Sequence, residues 1–246
     1  LDCAGICGGD TIEDICGICG GNSIVEEECL AYKCNMDMTS YVTFGQGLSD
    51  ITGFYQDGRE FAVIGLQNTA SFVDVTDPAS PFEVGRIDGS NSIWRDLKYW
   101  DRHVYIGTEA DDGIKVVSVD DPDNPVLVHT ITDVDNSHNI HVDDGYLYIV
   151  GADEYDIWIY DLVFPGTPNL VGTWNGEYIH DLDVKNNLAY AMGIYSSTAY
   201  IIDVSDKTNP QTLTSWQYPG MAHDAAVSED GNYLVTADEM TGGNLK

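Results

Sequence analysis

A histidine followed by an acid or its amide recurs at His138-Asn139, His180-Asp181 and His223-Asp224. Two earlier members of the series lack the histidine: Asp50, and Asp96 preceded by Arg95. The Asx residues stand 46, 43, 42 and 43 positions apart. Neutral imidazole offers a nitrogen ligand and carboxylate an oxygen ligand. Gathered at one centre they hold a divalent transition metal or a cationic ligand. The same side chains have a plainer use, which is to satisfy backbone groups between strands and so fix how repeats pack. The residue types leave both uses open. No Gly-x-Ser-x-Gly elbow, His-Glu-x-x-His pair or phosphate-binding glycine loop occurs, which lowers the expectation of an enzyme. A site assembled from separate repeats would carry no such motif.

A second polar set lies between these pairs. It comprises Glu109, Asp111 and Asp112, then Asp153, Glu154 and Asp156, then Asp238 and Glu239. Hard oxygen ligands of this kind suit calcium. Asp111, Asp112, Asp153, Glu154 and Asp156 are therefore the candidate metal ligands, and Ca2+ is the candidate cofactor. Asp120-Asp121-x-Asp123 and Asp133-x-Asp135 are similar clusters. None has the Gly and Glu placement of an EF-hand loop, and Asp and Pro also shape β-turns without any metal. His103, His129 and His141 fall out of phase and read as incidental.

What must position these residues is a repeated β unit. From about residue 40 short alternating apolar runs are separated by turn residues, the all-β pattern. Pro81, Pro125, Pro168 and Pro210 recur at steps of 44, 43 and 42, and Asp74, Ser118, Asp161 and Asp203 keep the same phase. Each period parses into four strands. In the third they are 139–142, 147–151, 157–162 and 169–174, with Asp143-Asp144-Gly145 as the first turn. Four short antiparallel strands per forty-odd residues make a propeller blade, and blades bury their faces only by stacking. The expected fold is all-β: a β-propeller with four full blades and part of a fifth, behind a small disulfide-rich N-terminal segment. Antiparallel order puts the loops before each first strand and those between second and third strands on one side. The nine residues Asp50, Arg95, Asp96, His138, Asn139, His180, Asp181, His223 and Asp224 should then converge on a channel mouth as ligand-binding candidates. The fifth unit runs out near Lys246, so either more chain follows or a neighbour completes its sheet. Ser40–Phe44 could add an outer strand to it.

Ten basic side chains face 41 acidic ones, a net charge of −31. Such a surface repels nucleic-acid phosphates and anionic membrane faces. No apolar run is long enough to insert in a bilayer. All six cysteines, Cys3, Cys7, Cys16, Cys19, Cys29 and Cys34, lie in the first 34 residues. A dense even set beside a cysteine-free domain reads as disulfides made outside the cytoplasm. Residues 1–38 form this spacer and 39–246 the repeat domain. A zinc site and a redox pair at Cys16-x2-Cys19 are the other readings of the segment.

The turn phrases Asp74-Val75-Thr76-Asp77-Pro78, Val119-Asp120-Asp121-Pro122 and Ile202-Asp203-Val204-Ser205-Asp206 resemble the LVIVD repeat. First-strand starts such as Ser137-His138-Asn139-Ile140 and Ala222-His223-Asp224-Ala225 are similar to the choice-of-anchor B group of bacterial surface proteins. The Asp-Cys-x-Gly-x-Cys-Gly-Gly pattern at residues 2–9 resembles stalk repeats of secreted marine bacterial proteins. The resemblance implies a propeller and export, and brings no catalytic residues with it. The expected function is a secreted or cell-surface structural and binding scaffold, calcium-stabilised and self-assembling into extracellular polymers. Its partners would be further copies or other surface components, with no nucleic acid and no membrane insertion. A metal-dependent propeller enzyme using the channel-mouth His and Asp residues is the alternative.

Overall fold

The computed structural model describes residues 38–240 and Leu245. The six cysteines lie outside the described residues. The chain separates into two compact units, residues 1–43 with 77–81 and residues 44–76 with 82–246. In the first, Ser40 Oγ donates to the Pro78 carbonyl at 2.6 Å.

The second unit is built of antiparallel sheets whose strands follow one another in chain order. The first sheet holds β1 (Leu48–Gln56), β2 (Arg59–Leu66), β3 (Thr69–Asp74) and β4 (Phe82–Asp88). The second holds β5 (Arg95–Trp100), β6 (His103–Thr108), β7 (Ile114–Ser118) and β8 (Val126–Ile131). The third holds β9 (Asn139–Asp143), β10 (Tyr146–Val150), β11 (Ile157–Asp161) and β12 (Asn169–Trp174). The fourth holds β13 (Asp181–Lys185), β14 (Leu188–Gly193), β15 (Thr198–Asp203) and β16 (Gln211–Gln217). Among the described residues the fifth has β17 (Ala222–Val227) and β18 (Leu234–Asp238). Ser40–Phe44 forms no strand, which corrects the expectation that it extends the fifth sheet. Tyr41 and Val42 of this segment are exposed, so little apolar burial rewards strand pairing there.

Local chemistry explains the hairpins. The turns joining the first two strands are Asp57-Gly58, Asp101-Arg102, Asp144-Gly145 and Asn186-Asn187, and every one of these residues has positive φ. That is the two-residue turn whose twist matches a β-hairpin, and Asp, Asn and Gly bear it at least cost. The turns after the third strands are tied by aspartates. Asp74, Asp121, Asp161, Asp203 and Asp206 each accept a bond from the amide two residues on, the Asx-turn geometry.

The apolar layers lie between consecutive sheets. Phe54, Phe72, Leu97 and Val117 join the first to the second. Tyr105, Val116, Ile149 and Trp158 join the second to the third. Tyr148, Ile159, Leu182 and Ile202 join the third to the fourth, and Met192, Ala199, Ala222 and Ala225 the fourth to the fifth. Middle strands are covered on both faces and so read as near-continuous apolar runs, while β16 is exposed along its whole length. Each large buried side chain contributes about 1.5–3 kcal/mol. Polar ties cross the same boundaries. Tyr105 Oη donates to the Pro165 carbonyl at 2.9 Å, and Trp174 Nε1 to Thr212 Oγ1 at 3.1 Å. Arg59 spans Asp74 and Asp123.

Each outer strand carries a bulge against its third strand at one repeat phase, skipping Val84, Val128, Val171 and Leu213. A bulge bends and twists the strand that bears it. Just after two of them sit Gly85 and Gly172, pressed against the next sheet's turn. A β-carbon at 85 would lie 2.7 Å from Pro125 Cγ, and one at 172 would collide with the Lys207 carbonyl. The inner strands β1, β5, β9, β13 and β17 adjoin in that order. The result is a propeller-like array of wedge-stacked sheets.

Candidate functional site

The first strand is the inner edge of each sheet, so some of its N–H groups have no ladder partner on that side. All five first strands present this edge to one cavity of about 630 Å³. The nine candidates Asp50, Arg95, Asp96, His138, Asn139, His180, Asp181, His223 and Asp224 all border it. Lys98, His141 and Asp183 do so as well. They stand two residues after Asp96, Asn139 and Asp181, and alternate residues of a strand share a face.

Much of the acidic row braces strands. Asp96 Oδ2 accepts from the Ile140 amide of the next sheet at 2.7 Å, and Asp50 Oδ2 from Leu97 at 3.4 Å. Asn139 Nδ2 donates to Asp181 Oδ2 at 2.6 Å. Two residues along, Asp183 accepts from the Val227 amide at 2.6 Å and His141 Nε2 from the Val184 amide at 3.4 Å. His141 is therefore part of the axial set. Reading it as incidental is corrected, because its register follows the strand and not the His-Asx pair. Lys98, also unforeseen, contacts the Asp96 carboxylate and lies 3.6 Å from Asp50.

Burial governs the charge states. Asp96 is pushed up to about 7 by burial, then by its hydrogen bond with Asp50, against the pull of Lys98. Asp50 itself lies below its ordinary value: burial raises it, but the Asp96 hydrogen bond, Lys98 and the amides of Ile51 and Leu97 together prevail. The two neighbouring carboxyls are thus displaced in opposite directions. Asp181 is raised well above the usual range by burial and by Asp224 and Asp96, and Asp224 is raised by burial. His141 is held down, chiefly by burial.

The three histidines form a row. The rings of His138 and His180 lie 3.9 Å apart and those of His180 and His223 4.4 Å apart, with Trp94 6.0 Å beyond His138. His138 Nδ1 lies 2.7 Å from Glu109 Oε1. His180 Nδ1 lies 3.2 Å from the His223 carbonyl oxygen. A carbonyl only accepts, so this nitrogen carries the proton and Nε2 is left with the lone pair. Burial, then the two flanking imidazoles, lower His180 to about 4, so it is neutral at pH 7.

Arg95 borders the cavity but is turned to structure. Its guanidinium donates to the carbonyls of Ser90, Gln67 and Ser92, pinning the loop ahead of β5. The five loop acids proposed as metal ligands are not brought together as a trio among the described residues. Asp112 accepts from the Ser90 amide and pairs with Lys115 at 2.6 Å. Asp111 and Asp153 share the Asn136 amide, at 3.3 and 3.4 Å. Asp156 caps the Gly176 amide at 2.7 Å, and Glu154 occupies a positive φ of 73°. Asp112 and Asp156 are thus engaged by backbone amides of other loops, and Asp111 and Asp153 by one side-chain amide. The group that does converge among the described residues is His180, His223 and Glu239, each offering a ligand atom within 4.8 Å of the others.

The LVIVD repeat family model matches residues 60–89 and 179–217, the stretches that carry β2–β4 and β13–β16. No curated protein matches. Among solved structures, a functionally unknown protein from Desulfotomaculum acetoxidans is similar at 14% identity and a TM-score of 0.63, over 83% of this chain and 70% of its own. The computationally designed Ika8 protein is similar at 16% identity and a TM-score of 0.59, over 80% of this chain and 57% of its own. The designed Ika4 protein is similar at 17% identity and a TM-score of 0.50, over 65% of this chain and 92% of its own. At these identities the likeness concerns the fold alone. Two stretches of the chain thus match the LVIVD repeat, within an all-β, propeller-like arrangement of four-stranded sheets.

Proposed function

We propose that this chain is a secreted or cell-surface β-propeller serving as a structural and binding scaffold. The observation that carries the reading is the use of the axial acids. Asp50, Asp96 and Asp183 each accept an amide of the neighbouring sheet. An axis engaged this way is rigid and pre-organised, which suits a platform. The wider choice-of-anchor B kinship, the disulfide spacer of residues 1–38, export, calcium stabilisation and self-association belong to the same proposal. Self-association draws support from the outer strands: β16 is exposed throughout, and Val126, Leu127 and Val128 of β8 are exposed. Such edges accept a further strand from a second copy.

The test is negative-stain microscopy and light scattering of oxidised protein at rising concentration, with calcium or with chelator. Concentration-dependent oligomers or filaments, strengthened by calcium, are expected. Dispersed monomers under every condition would refute the assembling scaffold.

A further inference from the structure

We infer that His180, His223 and Glu239 form a binding site for one borderline divalent transition metal of the Zn2+ class. His180 and His223 hold the same repeat position in adjacent sheets, and Glu239 directly follows β18, the strand paired with β17. One ligand atom from each falls within 4.8 Å of the other two. Small side-chain rotations close that triangle around an ion about 2.0–2.2 Å from each donor.

The donors are also oriented. The bond from His180 Nδ1 to the His223 carbonyl, 3.2 Å, fixes the tautomer and leaves Nε2 with its lone pair, the support that metal-binding imidazoles characteristically have. His180 is buried between two other rings, whereas Glu239 is exposed. One side of the site is therefore fixed and the other is reachable from solvent. Two imidazoles and one carboxylate select zinc, cobalt or nickel over calcium, which takes oxygen ligands only. A fourth position is left for water or a ligand from the cavity that His180 and His223 border. His138 stands apart because Glu109 engages it at 2.7 Å. The site goes beyond the scaffold reading: it needs neither self-association nor catalysis, and each can fail without the other.

The experiment is Co2+ titration of the chelator-treated full chain, followed by visible absorption, with Zn2+ displacement as confirmation. Saturable binding of a single Co2+ is expected, with ligand-field bands and no thiolate charge-transfer band. Zn2+ should displace it and excess Ca2+ should not. His223→Ala and Glu239→Gln should each weaken binding at least about tenfold. Glu229→Gln removes an exposed charge that pairs with Lys185 away from the site and should leave binding unchanged. Absence of binding, a thiolate band from the N-terminal cysteines, or equal loss in Glu229→Gln and Glu239→Gln would overturn the proposal. Should His223→Ala fail to fold, the exposed Glu239→Gln decides.

Discussion

Replacing Asp96 with asparagine tests the raised axial carboxyl. Asp96 moves from an ordinary value of 3.8 to about 7 on folding. Below both values it is protonated in either state and contributes nothing to pH dependence. Between them the folded chain keeps a proton that the unfolded chain releases, so stability falls as pH rises and levels off above the folded value. A rise of that size is worth about 4 kcal/mol at most. Asp50, displaced the other way, acts below 3.8 and so outside this window. Asparagine keeps an oxygen for the Ile140 amide but cannot ionise. Net self-repulsion of a chain carrying −31 also grows with pH, but alike in both proteins. The advantage of wild type over Asp96→Asn should therefore shrink by up to about 4 kcal/mol from about pH 4 to about pH 8. Urea unfolding followed by tryptophan fluorescence measures it. A difference that stays constant within about 0.5 kcal/mol across that range would refute the raised Asp96 carboxyl.

Five further substitutions bear on the frame, each read from denaturation midpoints. Gly172→Ala drives a β-carbon into the Lys207 carbonyl and should cost about 1–3 kcal/mol, while Gly47→Ala, with open space around it, should stay within about 0.5 kcal/mol. Tyr105→Phe removes the bond to Pro165 and should cost about 1 kcal/mol. Asp144→Ala puts an alanine at a φ of 45° and should cost about 1 kcal/mol, with Asp144→Gly largely avoiding that penalty.

The sheet boundaries are legible in the sequence because their causes are local. Alternation, the Asp144-Gly145 hairpin turn and phase-locked prolines place the third sheet to within about two residues of β9–β12. Convergence of the nine axial candidates on one cavity follows from repeat phase alone. Lys98 and His141 are hidden from such reasoning because phase marks only identical residue types. Their signal is the two-residue step along the strand, which differs chemically from sheet to sheet. The role of Arg95 is illegible, since its orientation depends on the carbonyls of a loop with no repeat counterpart. The partners of the loop acids are illegible, because they are single groups of other loops, such as the Asn136 side chain and the Gly176 amide, that no pattern marks. The bulges at Val84, Val128, Val171 and Leu213 leave no trace, as a skipped residue alters register and not residue type.

Gly85 and Gly172 occupy the odd-numbered sheets, while the matching positions in the even ones are His129 and Thr214. At this one position the modules alternate in type, though the bulge itself recurs in each of the four sheets. Transplanting a single even module into an odd slot would insert a side chain where only hydrogen fits. Tandem growth or engineered shuffling of such a chain should therefore proceed in doublets, cut ahead of an odd module.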